Sequence, residues 1–146
     1  MPASDRPESG RPAPLALAAL RGVRITATPA AIDAVTWPHS ALLVRIAPDD
    51  AFVIDATIDD AAAVADHDPH AIIEDEPMFR GTWLDDAQFA ALLDRLEWPL
   101  PAARPALAQG MVSGLAIKLC LLADRTLLIV SASVLHEVPD RLGAVA

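Results

Sequence analysis

The residues with the clearest chemical potential form a histidine and carboxylate cluster in the middle of the chain. His67, Asp68 and His70 lie within four residues, and three acidic residues follow at positions 74 to 76. Imidazole and carboxylate groups are ligands of zinc and iron. Structural zinc usually shows cysteine pairs, and a helical metal site needs histidines four residues apart, whereas Pro69 forces a loop here. The spacing therefore favours a solvated acidic loop over a metal site.

Nucleophilic residues are few, and no activating group accompanies them. Cys120 is the single cysteine and lies in an apolar run, where a thiol usually serves as inert packing. Ser131, Ser133 and His136 offer a serine and a base, but three residues at a helix start are more simply a cap, and no acid is identified that would orient the histidine. We therefore predict no catalytic, cofactor-binding or metal-binding residue.

Large amphipathic side chains are the remaining candidates, and they indicate contacts with another protein. Aromatic residues and methionine are concentrated at the buried centres of interfaces, although in a monomer most of them would belong to the core or its edge. Trp98 is the strongest candidate because it ends a predicted helix beside a proline-rich loop. The predicted interface residues are Trp98, Trp83, Met78 and Phe79.

Composition excludes several classes of partner. The net charge of -9 and the pI near 4.6 argue against nucleic acid and anionic membranes, because both would repel the average surface. No run approaches the roughly 18 apolar residues of a membrane span. The N-terminus lacks the apolar core of a secretory signal, so the cytoplasm is the expected compartment. The hydrophobic content of 53% fits a subunit that hides one face against a partner as well as a packed monomer.

The elements that must position these residues are strands in hairpins. Alternating apolar residues predict a central hairpin with strands at 115–122 and 127–130, in which Leu127 and Ile129 continue the face of Leu115. Both faces are largely apolar, as in strands covered on two sides. A final helix capped by Ser131 or Ser133 is expected to be kinked or restarted at Pro139.

The rest of the chain predicts a single α+β domain from residue 15 to 146, in which antiparallel hairpins form a sheet packed by two or three helices. Residues 1 to 14 are polar and rich in proline, which predicts a disordered tail. Gly110 and Gly114 precede a strand and favour a tight bend over a phosphate loop. The other predicted elements are a strand at 23–27, a helix from Thr28, a hairpin at 41–57, a helix or loop at 58–66, strands at 71–74 and 78–84, and a capped helix at 85–98.

Four segments resemble the γ subunit of heterotetrameric sarcosine oxidase, which is itself similar to parts of the glycine-cleavage aminomethyltransferase fold. They are LLVRIAPDDAFVI (42–54), the acidic strand and helix at 72–98, ALAQGMVSGLAIKLCLL (106–122) and IVSASVLHEVPDRL (129–142). Each motif is short and degenerate, and EDEPMF replaces the serine that usually follows the acidic strand.

This resemblance implies a non-catalytic small subunit that binds no cofactor of its own. Its larger partner subunits would carry FAD, FMN and NAD and would oxidatively demethylate a secondary amine such as sarcosine. Two other functions are compatible with the residues alone. One is a stand-alone interaction or scaffold domain, and the other is a small folate-binding one-carbon module, although no motif marks a folate pocket.

Overall fold

The computed structural model describes residues 13 to 143, so the predicted tail lies outside the described residues apart from Ala13 and Pro14. The strands are β1 Ala18–Ala19, β2 Gly22–Thr26, β3 Leu42–Ala47, β4 Asp50–Ile54, β5 Ile72–Asp75, β6 Phe79–Leu84, β7 Ala106–Val112, β8 Leu115–Leu121 and β9 Thr126–Ser131. The helices are α1 Pro29–Asp33, α2 Ile58–Ala61, α3 Val64–His67, α4 Asp86–Leu93, a 3-10 helix Ala132–Glu137 and α5 Val138–Arg141. None of the helices in this part of the chain is long and apolar enough to cross a bilayer.

The prediction of an α+β fold built from antiparallel hairpins is confirmed. The strands form two sheets where the sequence predicted one. The first has the order β1-β6-β9-β8-β7, and the second has the order β3-β4-β2-β5. All neighbouring strands are antiparallel, and the predicted central hairpin, β8 with β9, occupies the middle of the larger sheet. Strand β7 was not predicted, and it completes that sheet beside β8.

The two sheets pack face to face, and helices cover the outer face of each, which gives four layers. Alternate residues of β4 face opposite ways: Ala51 and Val53 pack under α1 to α3, while Phe52 and Ile54 pack against the larger sheet. On the larger sheet, α4 and the C-terminal helices cover the face that points away from the smaller sheet. Strands buried on both faces explain why β9 is apolar along nearly its whole length.

The pairing of β8 with β9 corrects one detail of the predicted hairpin. Leu119 lies opposite Leu128, and Cys120 lies opposite Leu127. Leu127 and Ile129 therefore face the second sheet, on the opposite side from Leu115. The physical reason is the loop between the strands, because its length sets the register, and a shift of one residue moves every side chain to the other face.

The predicted caps begin the helices, but the helices are short. Asp85 and Gln88 form the predicted capping box, with hydrogen bonds of 2.7 and 2.9 Å, yet α4 ends at Leu93 and not at Trp98. Ser131 accepts a hydrogen bond from the backbone N–H of Ser133, which begins the 3-10 helix. Pro139 lies in the first turn of α5, so the chain restarts as a new helix there, as predicted.

Candidate binding cleft between the two sheets

The histidine and carboxylate cluster has a structural role around Asp68. One carboxylate oxygen of Asp68 accepts the backbone N–H of Thr28 at 2.8 Å, and the other accepts that of His70 at 2.9 Å. These two hydrogen bonds hold the pKa of Asp68 below its usual value. Thr28 makes no cap with its own side chain, so Asp68 supplies the acceptor at the start of α1. Within residues 13 to 143, no group of three or more potential ligands could hold a metal ion.

The nucleophilic candidates are also part of the framework. Cys120 is buried between the sheets, and burial raises the pKa of its thiol, which keeps the sulfur in its unreactive protonated form. The hydroxyl oxygens of Ser131 and Ser133 lie 2.8 Å apart and hydrogen bond to each other. His136 follows in the 3-10 helix that these serines begin.

The four predicted interface residues occupy very different positions. Phe79 is 9% exposed, and its ring packs on Phe52 with the centroids 4.8 Å apart, so it is a core residue between the sheets and not a surface residue. Trp98 is half-buried. Its indole N–H donates to the carbonyl of Met111 at 2.9 Å. The ring lies against Gly110 and covers part of the edge strand β7.

The other two predicted interface residues are exposed. Met78, immediately before β6, is 47% exposed, and Trp83, near the end of β6, is 39% exposed. Large apolar side chains that remain exposed can mark a surface that binds another molecule, so both positions are available for contact with a partner. Whether a partner binds there stays a prediction.

Trp83 lines a cleft of about 520 Å³ at one end of the layer between the sheets. Leu42 and Ile54 form its wall on the smaller sheet, and Leu127 forms part of its wall on the larger sheet. The guanidinium of Arg125 stacks on the Trp83 ring, 3.8 Å from its centroid. Polar groups at the rim complete the cleft: Arg21, His39, Ser40 and Asp55.

The rim of the cleft contains an unusual backbone conformation. Asp55 has a φ of 62°, in the left-handed region that aspartate tolerates better than most residues. Its N–H donates to the carbonyl of Arg21 at 2.8 Å, which fixes the turn after β4. This turn holds Asp55 and Arg21 at the same rim.

The opposite end of the layer between the sheets is closed by charged residues that sequence reasoning missed. Arg24 makes a two-pronged ion pair with Asp50, at 2.5 and 2.7 Å, and a third hydrogen bond to Glu76 at 3.2 Å. The hydrogen bonds and charge of Arg24 lower the pKa of Asp50. On the larger sheet, Lys118 donates to the side-chain oxygen of Gln109 at 2.9 Å. Burial, and then the charge of Arg24, lower the pKa of Lys118.

Alternation along the strands could have revealed this group. Successive side chains of a strand point to opposite faces of its sheet. Arg24 lies between the fully buried Val23 and Ile25 on β2, so its charged side chain points to the other face. Only the fold shows that this face meets Lys118 of the other sheet.

At the sequence level, the chain matches no family model and no curated protein sequence. At the level of structure, it matches heterotetrameric sarcosine oxidase from Corynebacterium sp. U-96, solved in complex with pyrrole 2-carboxylate. The fold is similar to that of a sarcosine oxidase subunit. The TM-score is 0.69, the identity is 14%, and the match covers 94% of this chain and 88% of that chain. At this identity the similarity shows a related fold, and it does not assign a role to any residue.

Proposed function

We propose that this chain is a non-catalytic small subunit of a flavin-dependent oxidoreductase complex similar to sarcosine oxidase. The observation that carries the proposal is the structural match across almost the whole length of both chains, because the partner in the comparison is itself a heterotetramer. The match covers 94% of this chain and 88% of that chain, which supports an architecture shared over almost the full length of that chain.

The chemistry of the described residues supports a role without catalysis. The polar groups that the sequence singled out are used inside the fold: Asp68 caps a helix start, Cys120 packs between sheets, and Ser131 begins a helix. We propose that FAD, FMN and NAD bind to the larger subunits and that a secondary amine is the substrate of the complex. The cytoplasm remains the expected compartment.

The exposed apolar residues suggest where the larger subunits would bind. Met78 and Trp83 lie at the two ends of β6, and the strand between them belongs to the larger sheet. An interface centred on this strand would cover both side chains, which fits the enrichment of methionine and tryptophan at interface centres.

Isolation of the tagged full-length chain from its native host tests the proposal. Co-isolation of large subunits that carry flavin, seen as identified chains and as a flavin absorption spectrum, is the expected result. A monomeric, colourless chain without partners would reject the proposal and leave a stand-alone interaction domain or a folate module. Folate titration of the free protein would separate those two.

A matched pair of variants tests the position of the interface. Met78→Glu places a charge in the proposed contact and should abolish co-isolation, whereas Ile58→Glu changes an equally exposed side chain on α2, behind the smaller sheet. Equal loss in both variants would place the contact elsewhere or indicate misfolding, which circular dichroism would show.

A further inference from the structure

We infer that the cleft beside Trp83 is a binding site for a small aromatic carboxylate. The inference concerns the chain without its proposed larger subunits, because an interface that covers Trp83 would close this cleft; it uses only the geometry and charge of this chain. Its cavity of about 520 Å³ is within the range of about 300–1,000 Å³ that small-molecule sites occupy. Apolar side chains from both sheets form part of the wall, and polar groups make up the larger share of the lining.

The charge of the rim favours an anion. Arg21 and Arg125 both line the cleft, and no carboxylate among residues 13 to 143 lies within ion-pair distance of either. This contrasts with Arg24 and Arg45, which are both paired with carboxylates. In a chain with a net charge of -9, these two arginines, which have no carboxylate partner among residues 13 to 143, form a local positive site at one rim.

Asp55 limits the charge of the ligand. Asp55 lines the same cleft, so the two arginines there exceed the one aspartate by one positive charge. One carboxylate balances that excess, whereas a phosphate dianion would leave a negative charge beside Asp55. Arginine also matches a carboxylate in shape, since its planar guanidinium donates two parallel hydrogen bonds.

The wall of the cleft favours an aromatic body for the ligand. The Trp83 ring remains 39% exposed although Arg125 stacks on it, and Leu42, Ile54 and Leu127 complete an apolar surface. Flat rings gain stacking with an indole in addition to the burial of apolar area. A ring seated on Trp83 with its carboxylate at the arginines satisfies both parts of the cleft.

Titration of the full-length chain with three probes tests this inference. Benzoate has the ring and the charge, benzamide has the same shape without the charge, and acetate has the charge without the ring. The readout is the NMR signal of the Trp83 indole N–H. We expect a saturable shift with benzoate and an affinity at least about tenfold higher than that for either other probe.

Variants identify the residues that bind the probe. Arg21→Gln leaves the stacking of Arg125 on Trp83 intact and should weaken benzoate binding about tenfold, as should Arg125→Gln. Arg95→Gln removes the same charge at the other end of the larger sheet, near Ser113, and should leave binding unchanged. The inference is overturned if benzoate gives no saturable shift, if benzamide binds equally well, or if Arg95→Gln weakens binding as much as Arg21→Gln. Co-isolation with large subunits is a separate measurement, so failure of one proposal does not decide the other.

Discussion

The contact between Trp98 and Gly110 supplies a sharp test of how the edge of the larger sheet is protected. In Gly110→Ala, the new methyl group would lie 2.5 to 2.9 Å from three atoms of the indole ring. Comfortable contacts between carbon atoms need about 3.5–4.0 Å, so the ring has to move by about 1 Å. That movement breaks the hydrogen bond from Trp98 to the carbonyl of Met111.

The expected loss follows from two contributions. Overpacking of this kind costs about 1–3 kcal/mol, and the lost hydrogen bond contributes about 0.5–1.5 kcal/mol of stability. Because the two overlap, we expect the free energy of unfolding of Gly110→Ala to fall by about 2–3 kcal/mol. Gly110 has no positive φ, so alanine fits its backbone, and without the indole the substitution should instead stabilise the strand by about 0.5–1 kcal/mol.

A double-mutant cycle measures this change of sign. Urea unfolding followed by circular dichroism would give the free energy of unfolding of the wild type, Gly110→Ala, Trp98→Ala and the double variant. The expected coupling is about 2.5–4 kcal/mol, with alanine destabilising at 110 only when the tryptophan is present. An equal cost of Gly110→Ala in both backgrounds would refute the view that Trp98 is the reason for glycine at this position. If Trp98→Ala does not fold, Trp98→Phe keeps the measurement possible with a smaller ring.

Three further predictions concern buried polar groups. Trp37→Phe should leave the free energy of unfolding within about 1 kcal/mol of the wild type. The Trp37 indole N–H is buried without a hydrogen-bond partner among the described residues, so its removal ends a desolvation cost. A larger loss of stability in urea unfolding would contradict this prediction. Lys118→Met should keep or raise the free energy of unfolding at pH 7 in the same assay, because burial disfavours the charged ammonium group. Water can replace the ammonium group as the hydrogen-bond donor to the exposed side chain of Gln109. A clear loss of stability would show that the hydrogen bond between Lys118 and Gln109 outweighs the cost of desolvation. Arg24→Gln should lower stability by about 1–3 kcal/mol at pH 7, with partial exposure of the pair reducing the effect. Asp50 has a lowered pKa in the folded state, so its contribution to stability is complete above its ordinary pKa of 3.8 and is lost as the pH falls through the lower folded value. The difference in the free energy of unfolding between wild type and Arg24→Gln should therefore shrink below about pH 4.

The hairpins were predictable from sequence because their signals are local. Alternation of apolar residues and the Pro48-Asp49 turn are sufficient to define β3 and β4, and the capping box at Asp85 defines the start of α4. The division into two sheets was not predictable in this way. It depends on which strands pair over long separations, such as β2 with β5, and no local pattern encodes that choice.

The end of α4 shows why the interface residues were harder to place. Trp98 continues a helical pattern, but α4 ends at Leu93 and the indole ring lies against Gly110 of the edge strand. Phe79 and Trp83 lie on the same face of β6, yet one is buried and the other is in the cleft. Only the position of the smaller sheet over that face separates a core residue from a cleft residue.

The hydrogen bond that the side-chain amide of Gln109 donates to the carbonyl of Ile46, at 2.9 Å, fastens the two sheets at the Arg24 end of the layer between them, and the open cleft at Trp83 lies at the other end. Strand β4 runs from Asp50 at the fastened end to Ile54 at the cleft. A small change in the spacing of the sheets at the cleft end therefore disturbs the apolar contacts of Leu42, Ile54 and Leu127, while the same change at the fastened end breaks the hydrogen bond between Gln109 and Ile46. Native-state hydrogen exchange should show this as faster exchange of backbone amides beside the cleft, with Leu127 less protected than Ile129, which lies further from the cleft on the same strand β9. The molecule would then adjust the width of its cleft to an occupant without unfolding its core.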